Sequence, residues 1–205
     1  RDFWDTYIHL ENKHHYELIK EGDPCNLYFD LEYEYEYNMV EPDLEGTAVN
    51  QESSSSLCKK ECSESYSRVE CQKHTLSKVP LELDIQKFID ILALELKSIG
   101  VDGFKHVDLD SSSSKKYSHH LIVRMKNKKF KNNLQCGIFV HNFYKKLLDN
   151  NQFIIRTKDD RKVFIDDGVY TKNRNFRLYL SSKIGKHAIL KMKNAKATLK
   201  LFLDT

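Results

Sequence analysis

The stretch that most restricts how this chain can fold is Asn-Leu-Tyr-Phe-Asp-Leu-Glu, residues 26–32. It reads as a buried strand that carries two carboxylates. Side chains on a strand alternate between faces with a period of two. Leu27, Phe29 and Leu31 therefore share one face, and Asp30 and Glu32 share the other. Two acids side by side on a stiff apolar strand repel each other unless a cation lies between them. Oxygen ligands on rigid backbone suit Mg²⁺ or Mn²⁺. The first reading is a divalent-metal site on Asp30 and Glu32, and the alternative is two solvated acids on an exposed strand.

The other segments are read around this strand. Phe3, Trp4, Tyr7 and Ile8 have helical spacing within residues 1–20, and Tyr16 to Ile19 reads as a short strand. His14 and His15 read as surface residues. Tyr33 to Tyr37 reads as a continuation of the Asp30 strand, with Glu34 and Glu36 solvated. Ile85, Phe88, Ile89, Leu92, Leu96 and Ile99 recur at 3.6-residue spacing, which predicts a core helix over 81–99 closed by Gly100. Val107 to Leu109 reads as a strand, and a second core helix is expected over 134–149.

Residues 41–79 are rich in Ser, Glu, Gln and Asn and poor in apolar groups, so they read as a disordered insertion in a core built from 1–40 and 80–205. Cys58, Cys62, Cys71 and His74 within it offer a loose zinc set, but the spacing matches no common finger. Five cysteines without a secretory signal suit a reducing compartment. No apolar run approaches the roughly 18 residues that a membrane span needs. Net charge is only +3, but acids prevail up to about residue 70 and Lys and Arg prevail from 115 onward. A basic second half favours a polyanionic partner such as nucleic acid or nucleotide.

Two further stretches carry chemistry. In Lys116-Tyr117-Ser118-His119-His120, period two puts Lys116, Ser118 and His120 on one face. All three can donate to phosphate oxygens, although a plain polar strand face is the alternative. His119 falls on the apolar side and reads as a core histidine. The apolar run Val163-Phe164-Ile165 ends in Asp166-Asp167-Gly168, so Asp166 or Asp167 would complete a three-acid site of the kind two-metal phosphoryl transfer requires. Residues 169–186 are dense in donors and aromatics; if 176–183 is extended, Arg177, Tyr179, Ser181 and Lys183 share a face. Residues 188–203 read as a final hairpin turning near Asn194.

The order of these motifs, with the runs CNLYFDLE, LDSSSSKKYSHHLIV and FIDDGVYTKNRNFRLYLSSKIGK, resembles the eukaryotic primase-polymerase family of the archaeo-eukaryotic primase superfamily. The resemblance covers about residues 15–190. It implies an α+β catalytic core with an RRM-like mixed or antiparallel sheet and packed helices. It implies Asp30, Glu32 and Asp166 as catalytic, metal-binding carboxylates for Mn²⁺ or Mg²⁺, leaving Asp167 in a variable position. It assigns Lys116, Ser118, His120, Arg177 and Lys183 to the nucleotide triphosphate. The implied activity is template-dependent nucleotidyl transfer from (d)NTPs to a 3′-hydroxyl, in replication restart and damage tolerance by repriming. Implied partners are a DNA template and primer, and a single-stranded-DNA-binding protein reached through a C-terminal region not seen here. A monomer, in the nucleus and mitochondrion and off the membrane, is expected. The family's C-terminal zinc module is not visible either, and the 41–79 insertion departs from its pattern. A catalytically silent nucleic-acid-binding module and a zinc-dependent interaction domain are the alternatives.

Overall fold

The structure is a computed structural model that describes residues 2–40 and 78–193. The insertion, its Cys58, Cys62, Cys71 and His74, and the far half of the expected final hairpin lie outside the described residues.

The chain opens with α1 (Asp2–Tyr7), β1 (Tyr16–Ile19) and β2 (Leu27–Glu34). The short strands β3 (Met39–Val40) and β4 (Val79–Pro80) pair with each other. α2 (Ile85–Ser98), β5 (Phe104–Asp110), β6 (Lys116–Met125) and α3 (Asn133–Asp149) follow. The chain continues through β7 (Ile154–Arg156), β8 (Arg161–Val163), β9 (Arg174–Arg177) and β10 (Lys191–Met192). The principal sheet has the order β10-β5-β6-β2 and every pairing in it is antiparallel. β1 and β9 form a separate antiparallel ribbon. The class is α+β. No helix among the described residues is long and apolar enough to cross a membrane.

Both helices start where a side chain replaces a missing backbone acceptor. Asp84 accepts from Lys87 N at 3.1 Å, and Asn132 accepts from Gln135 N at 2.9 Å. Phe88, Ile89, Leu92 and Leu96 of the expected 81–99 helix form one buried face, but the helix runs only from Ile85, where Asp84 caps it, to Ser98, and Ile99 is half exposed at its C-cap. Phe88 and Phe143, one from each helix, meet Phe29 of β2 edge-on at 5.4 and 6.3 Å between centroids. Phe29, Leu31, Phe88 and Leu92 are all fully buried. Each such side chain contributes about 1.5–3 kcal/mol through burial, which fixes the face that β2 turns to the helices.

Two expectations are corrected. The strand does not run to Tyr37: it ends at Glu34, and Tyr35–Tyr37 is one 3₁₀ turn. Asn38, whose side chain donates to Glu34 O and Arg156 O, holds the chain in that turn. Nor is 176–183 extended. β9 stops at Arg177, and Leu180 takes φ +65°. Ser181 is then buried against the Tyr7 hydroxyl while Lys183 is exposed, so Arg177, Tyr179, Ser181 and Lys183 do not form one strand face.

Candidate active site

Register decides which side chains meet. β2 and β6 pair so that Asp30 lies opposite His120, Glu32 opposite Ser118, and Glu34 opposite Lys116. Directly paired residues project from the same face of an antiparallel sheet. The acids and the donors therefore share one face, and Leu27, Phe29, Leu31 and Tyr33 take the other with Leu121 and Val123. Asp166 comes from far along the chain. Ile165 bridges Leu31, Asp166 N donates to Asp30 O at 2.8 Å, and Glu32 N donates to Phe164 O at 2.8 Å. The backbone of 164–166 thus runs beside β2 and sets Asp166 next to Asp30. Asp167 enters a 3₁₀ turn, with its carboxylate 3.6 Å from His141 Nδ1.

The electrostatics of this face are strained. The Asp30 carboxyl is pushed up to about 6, first by burial and then by Glu32 and Asp166. Lys183 and Lys116 oppose the shift without cancelling it. Asp30 Oδ1 is buried and has no hydrogen-bond partner among the described residues. Burying an anionic oxygen without a partner is costly. The other two acids are engaged: Lys116 Nζ lies 2.5 Å from Glu32 Oε2, and Asp166 Oδ1 accepts from Gly168 N at 3.0 Å. Among the described residues no three His, Cys, Asp or Glu side chains are arranged to hold a metal ion as they stand. The donor set nevertheless fits a hard cation, because its atoms are carboxylate oxygens and the most buried of them lacks a partner.

His120 is 5% exposed and stacks on Phe176 with centroids 4.2 Å apart. Its ring is pulled down to about 3 by burial and by the charges of Arg177, Lys183 and Arg174, so it is neutral at physiological pH. A neutral ring has one N–H, and His120 therefore offers a single hydrogen bond rather than a charge. Arg177 is buried; its guanidinium donates to Ser111 Oγ at 2.7 Å and to Ala188 O at 3.1 Å, while Nε has no partner. Ser111 also bonds Ser118 Oγ at 3.2 Å, linking Arg177 to the Ser118 hydroxyl. Lys183 is exposed, yet its charge is felt at both Asp30 and His120.

Three features were not legible from spacing. Arg174 acts on His120, and its Nε is buried without a partner. His119 is the core histidine expected, but it sits between two carboxylates: Asp108 at 2.7 Å from Nδ1 and Asp110 at 3.4 Å from Nε2. The alternation of β5 does put Asp108 and Asp110 on one face, but a strand bearing two acids reads as solvent-facing unless its partner's histidine is known. The third is a cavity of about 320 Å³ between the β1–β9 ribbon and the sheet, lined by Tyr28, Ile122 and Phe176 among others.

Set beside known proteins, the chain finds a consistent set of relatives. The DNA-directed primase/polymerase protein of Danio rerio is 31% identical over 218 residues, covering 91% of this chain and 35% of that protein. Its counterpart in Mus musculus is 27% identical, covering 84% and 34%. The Homo sapiens protein is 25% identical, covering 93% and 40%. No protein-family model matches the chain. An antiparallel α+β chain related to such proteins over most of its length falls in the class of primase-like proteins. It belongs to the eukaryotic primase-polymerase family. The chain spans about a third of the length of the curated relatives it matches.

Proposed function

We propose that this chain is the catalytic part of a DNA-directed primase-polymerase, with an archaeo-eukaryotic primase core assembled from residues on both sides of the 41–79 insertion. The observation that carries the reading is the pairing of Asp30 with His120 and Glu32 with Ser118, with Asp166 drawn alongside by its bond to Asp30 O. That arrangement sets an anionic cluster beside a row of phosphate donors on one rigid face.

Asp30, Glu32 and Asp166 would hold Mn²⁺ or Mg²⁺, whose chemistry when bound is to acidify a primer hydroxyl and neutralise charge on the entering and leaving oxygens. The chain's own residues position the substrate. Lys116 and Lys183 attract the triphosphate as point charges, and Arg177, locked by Ser111 and Ala188, keeps a fixed guanidinium beneath it. His120 donates one hydrogen bond from a ring that Phe176 holds in place. Ser118, tethered to Ser111, adds a hydroxyl. Fixing the α-phosphate in line with an attacking hydroxyl supplies much of the rate gain in such reactions. In the resting arrangement Lys116 covers Glu32, so nucleotide entry draws Lys116 from the carboxylate to the phosphate and frees Glu32 for a cation. A role in restarting replication by repriming, in the nucleus and mitochondrion, rests on family membership.

Primer extension on a short template, with each metal and each nucleotide type, tests the reading. Metal-dependent extension that is lost in the Asp30→Ala, Glu32→Ala double variant is expected. Extension by that variant at the wild-type rate, or none by the parent with any metal, would contradict it.

A further inference from the structure

A second cavity, of about 410 Å³ and with a basic lining, is bordered by residues on either side of Lys183 in the chain. Its walls are two segments distant in sequence, 12–14 and 180–189. Lys13, His14, Lys186 and His187 line it, and none of its lining residues is acidic. The cavity between the ribbon and the sheet differs in this respect, since Glu17 and Asp23 line it.

The cavity is built rather than incidental. The loop 181–190 is closed at its base, where Leu180 N donates to Leu190 O at 2.8 Å and Leu190 N donates to Ser181 O at 3.0 Å. Leu190 is fully buried and Arg177 holds Ala188 O from below. Residues 13–15 are stitched to the same loop: Ser182 N donates to Lys13 O at 2.9 Å, and His15 N donates to Ser181 Oγ at 3.0 Å. The His14 ring is held at 3.0 Å from Ser182 O. Lys186 N donates to Lys183 O at 2.9 Å, so one tight turn carries both lysines. Lys183, whose charge acts on Asp30, and Lys186, which lines the cavity, are thus set three residues apart on one turn, so the cavity adjoins the acid cluster through that turn. Ile184, between them, is 81% exposed, and Ile189 at the cavity wall is 41% exposed. Apolar side chains displayed among cations suit a ligand with both charged and flat apolar parts.

The geometry points to this cavity as the groove for the phosphodiester backbone of the single-stranded template as it leaves the reaction site. Lys13 and Lys186 contact phosphates, and Ile184 and Ile189 contact sugar and base faces. The assignment rests on the polymerase reading above. It differs from a triphosphate subsite in the phosphate it takes, which belongs to a strand and not to a free nucleotide.

Fluorescence anisotropy with a labelled single-stranded DNA oligonucleotide, over a range of salt and without nucleotide, tests it on the 205-residue chain. Each phosphate contact to a single strand contributes about 0.7 to the slope of log affinity against log salt. The Lys13→Ala, Lys186→Ala double variant is expected to bind more weakly, with a slope smaller by about 1.4. Lys186→Glu weakens binding more than Lys186→Ala does, and Lys97→Ala, on the α2 helix, changes neither quantity. A parallel titration with a free deoxynucleoside triphosphate is expected to show no difference between parent and double variant. Unchanged oligonucleotide affinity and slope would overturn the proposal while leaving the polymerase reading intact, provided that extension persists. Weakening confined to the free nucleotide would also overturn it. A parent chain that binds no oligonucleotide would overturn both.

Discussion

Replacing Asp30 with Asn should stabilise the protein while removing its activity. The Asp30 carboxyl is held at about 6 in the folded chain against 3.8 for an unperturbed one, because it is buried beside Glu32 and Asp166. A carboxyl raised in the folded state stabilises the fold fully below the unfolded value, and that contribution is lost as pH rises through the folded one. At pH 8, without divalent metal, the ionised group therefore costs about 3 kcal/mol. Asn has the same shape and no charge, so Asp30→Asn recovers up to about 3 kcal/mol at pH 8 and progressively less toward pH 4. For a chain of this length 1 kcal/mol moves Tm by roughly 2–4 °C, which makes the gain about 6–12 °C. Urea or thermal denaturation of both proteins in chelator-containing buffer at pH 4, 6 and 8 measures it. A variant no more stable than the parent at pH 8, or a gap that does not close toward pH 4, would refute the claim that Asp30 is a strained anion.

Three other perturbations follow from the same geometry. His120→Asn removes the ring stacked on Phe176 and is expected to raise KM for nucleotide more than it weakens DNA binding; steady-state kinetics and anisotropy together separate the two effects. His119→Leu leaves Asp108 and Asp110 without their shared imidazole, and a cost of about 1.5–3 kcal/mol in denaturation is expected, against no loss if the pair is ornamental. In Gly137→Ala the new Cβ would meet Tyr170 Cβ at 2.7 Å, so α3 must shift; about 1–3 kcal/mol of destabilisation is expected, and an unchanged Tm would mean that the contact gives way freely.

How much of this was legible in the sequence depended on whether a feature is local. Alternation along 26–32 and 116–123 assigned Asp30, Glu32, Lys116, Ser118 and His120 to faces, because period two is a property of any extended backbone. The β2–β6 register that turns two separate faces into one is a long-range fact that no window of sequence contains. The apolar run 163–165 reads as one strand, but β8 ends at Val163 and Ile165 makes only an isolated bridge to Leu31; the bond of Asp166 N to Asp30 O was not readable. Parity failed at 176–183 because the left-handed backbone at Leu180 breaks the alternation. Leu180 is not a residue type that advertises such a conformation. The neutral state of His120 was equally hidden, since it comes from burial and three cations brought in from β9 and the loop beyond.

The account stands on Asp30, Glu32 and Asp166 acting together as a cation site. Titrating Mn²⁺ into the chain and counting free ion by electron paramagnetic resonance measures this without relying on turnover. The parent chain is expected to take up Mn²⁺ stoichiometrically, and Asp30→Asn and Asp166→Asn are each expected to lose that uptake while staying folded. Equal Mn²⁺ uptake by parent and variants, or none by the parent, would contradict it.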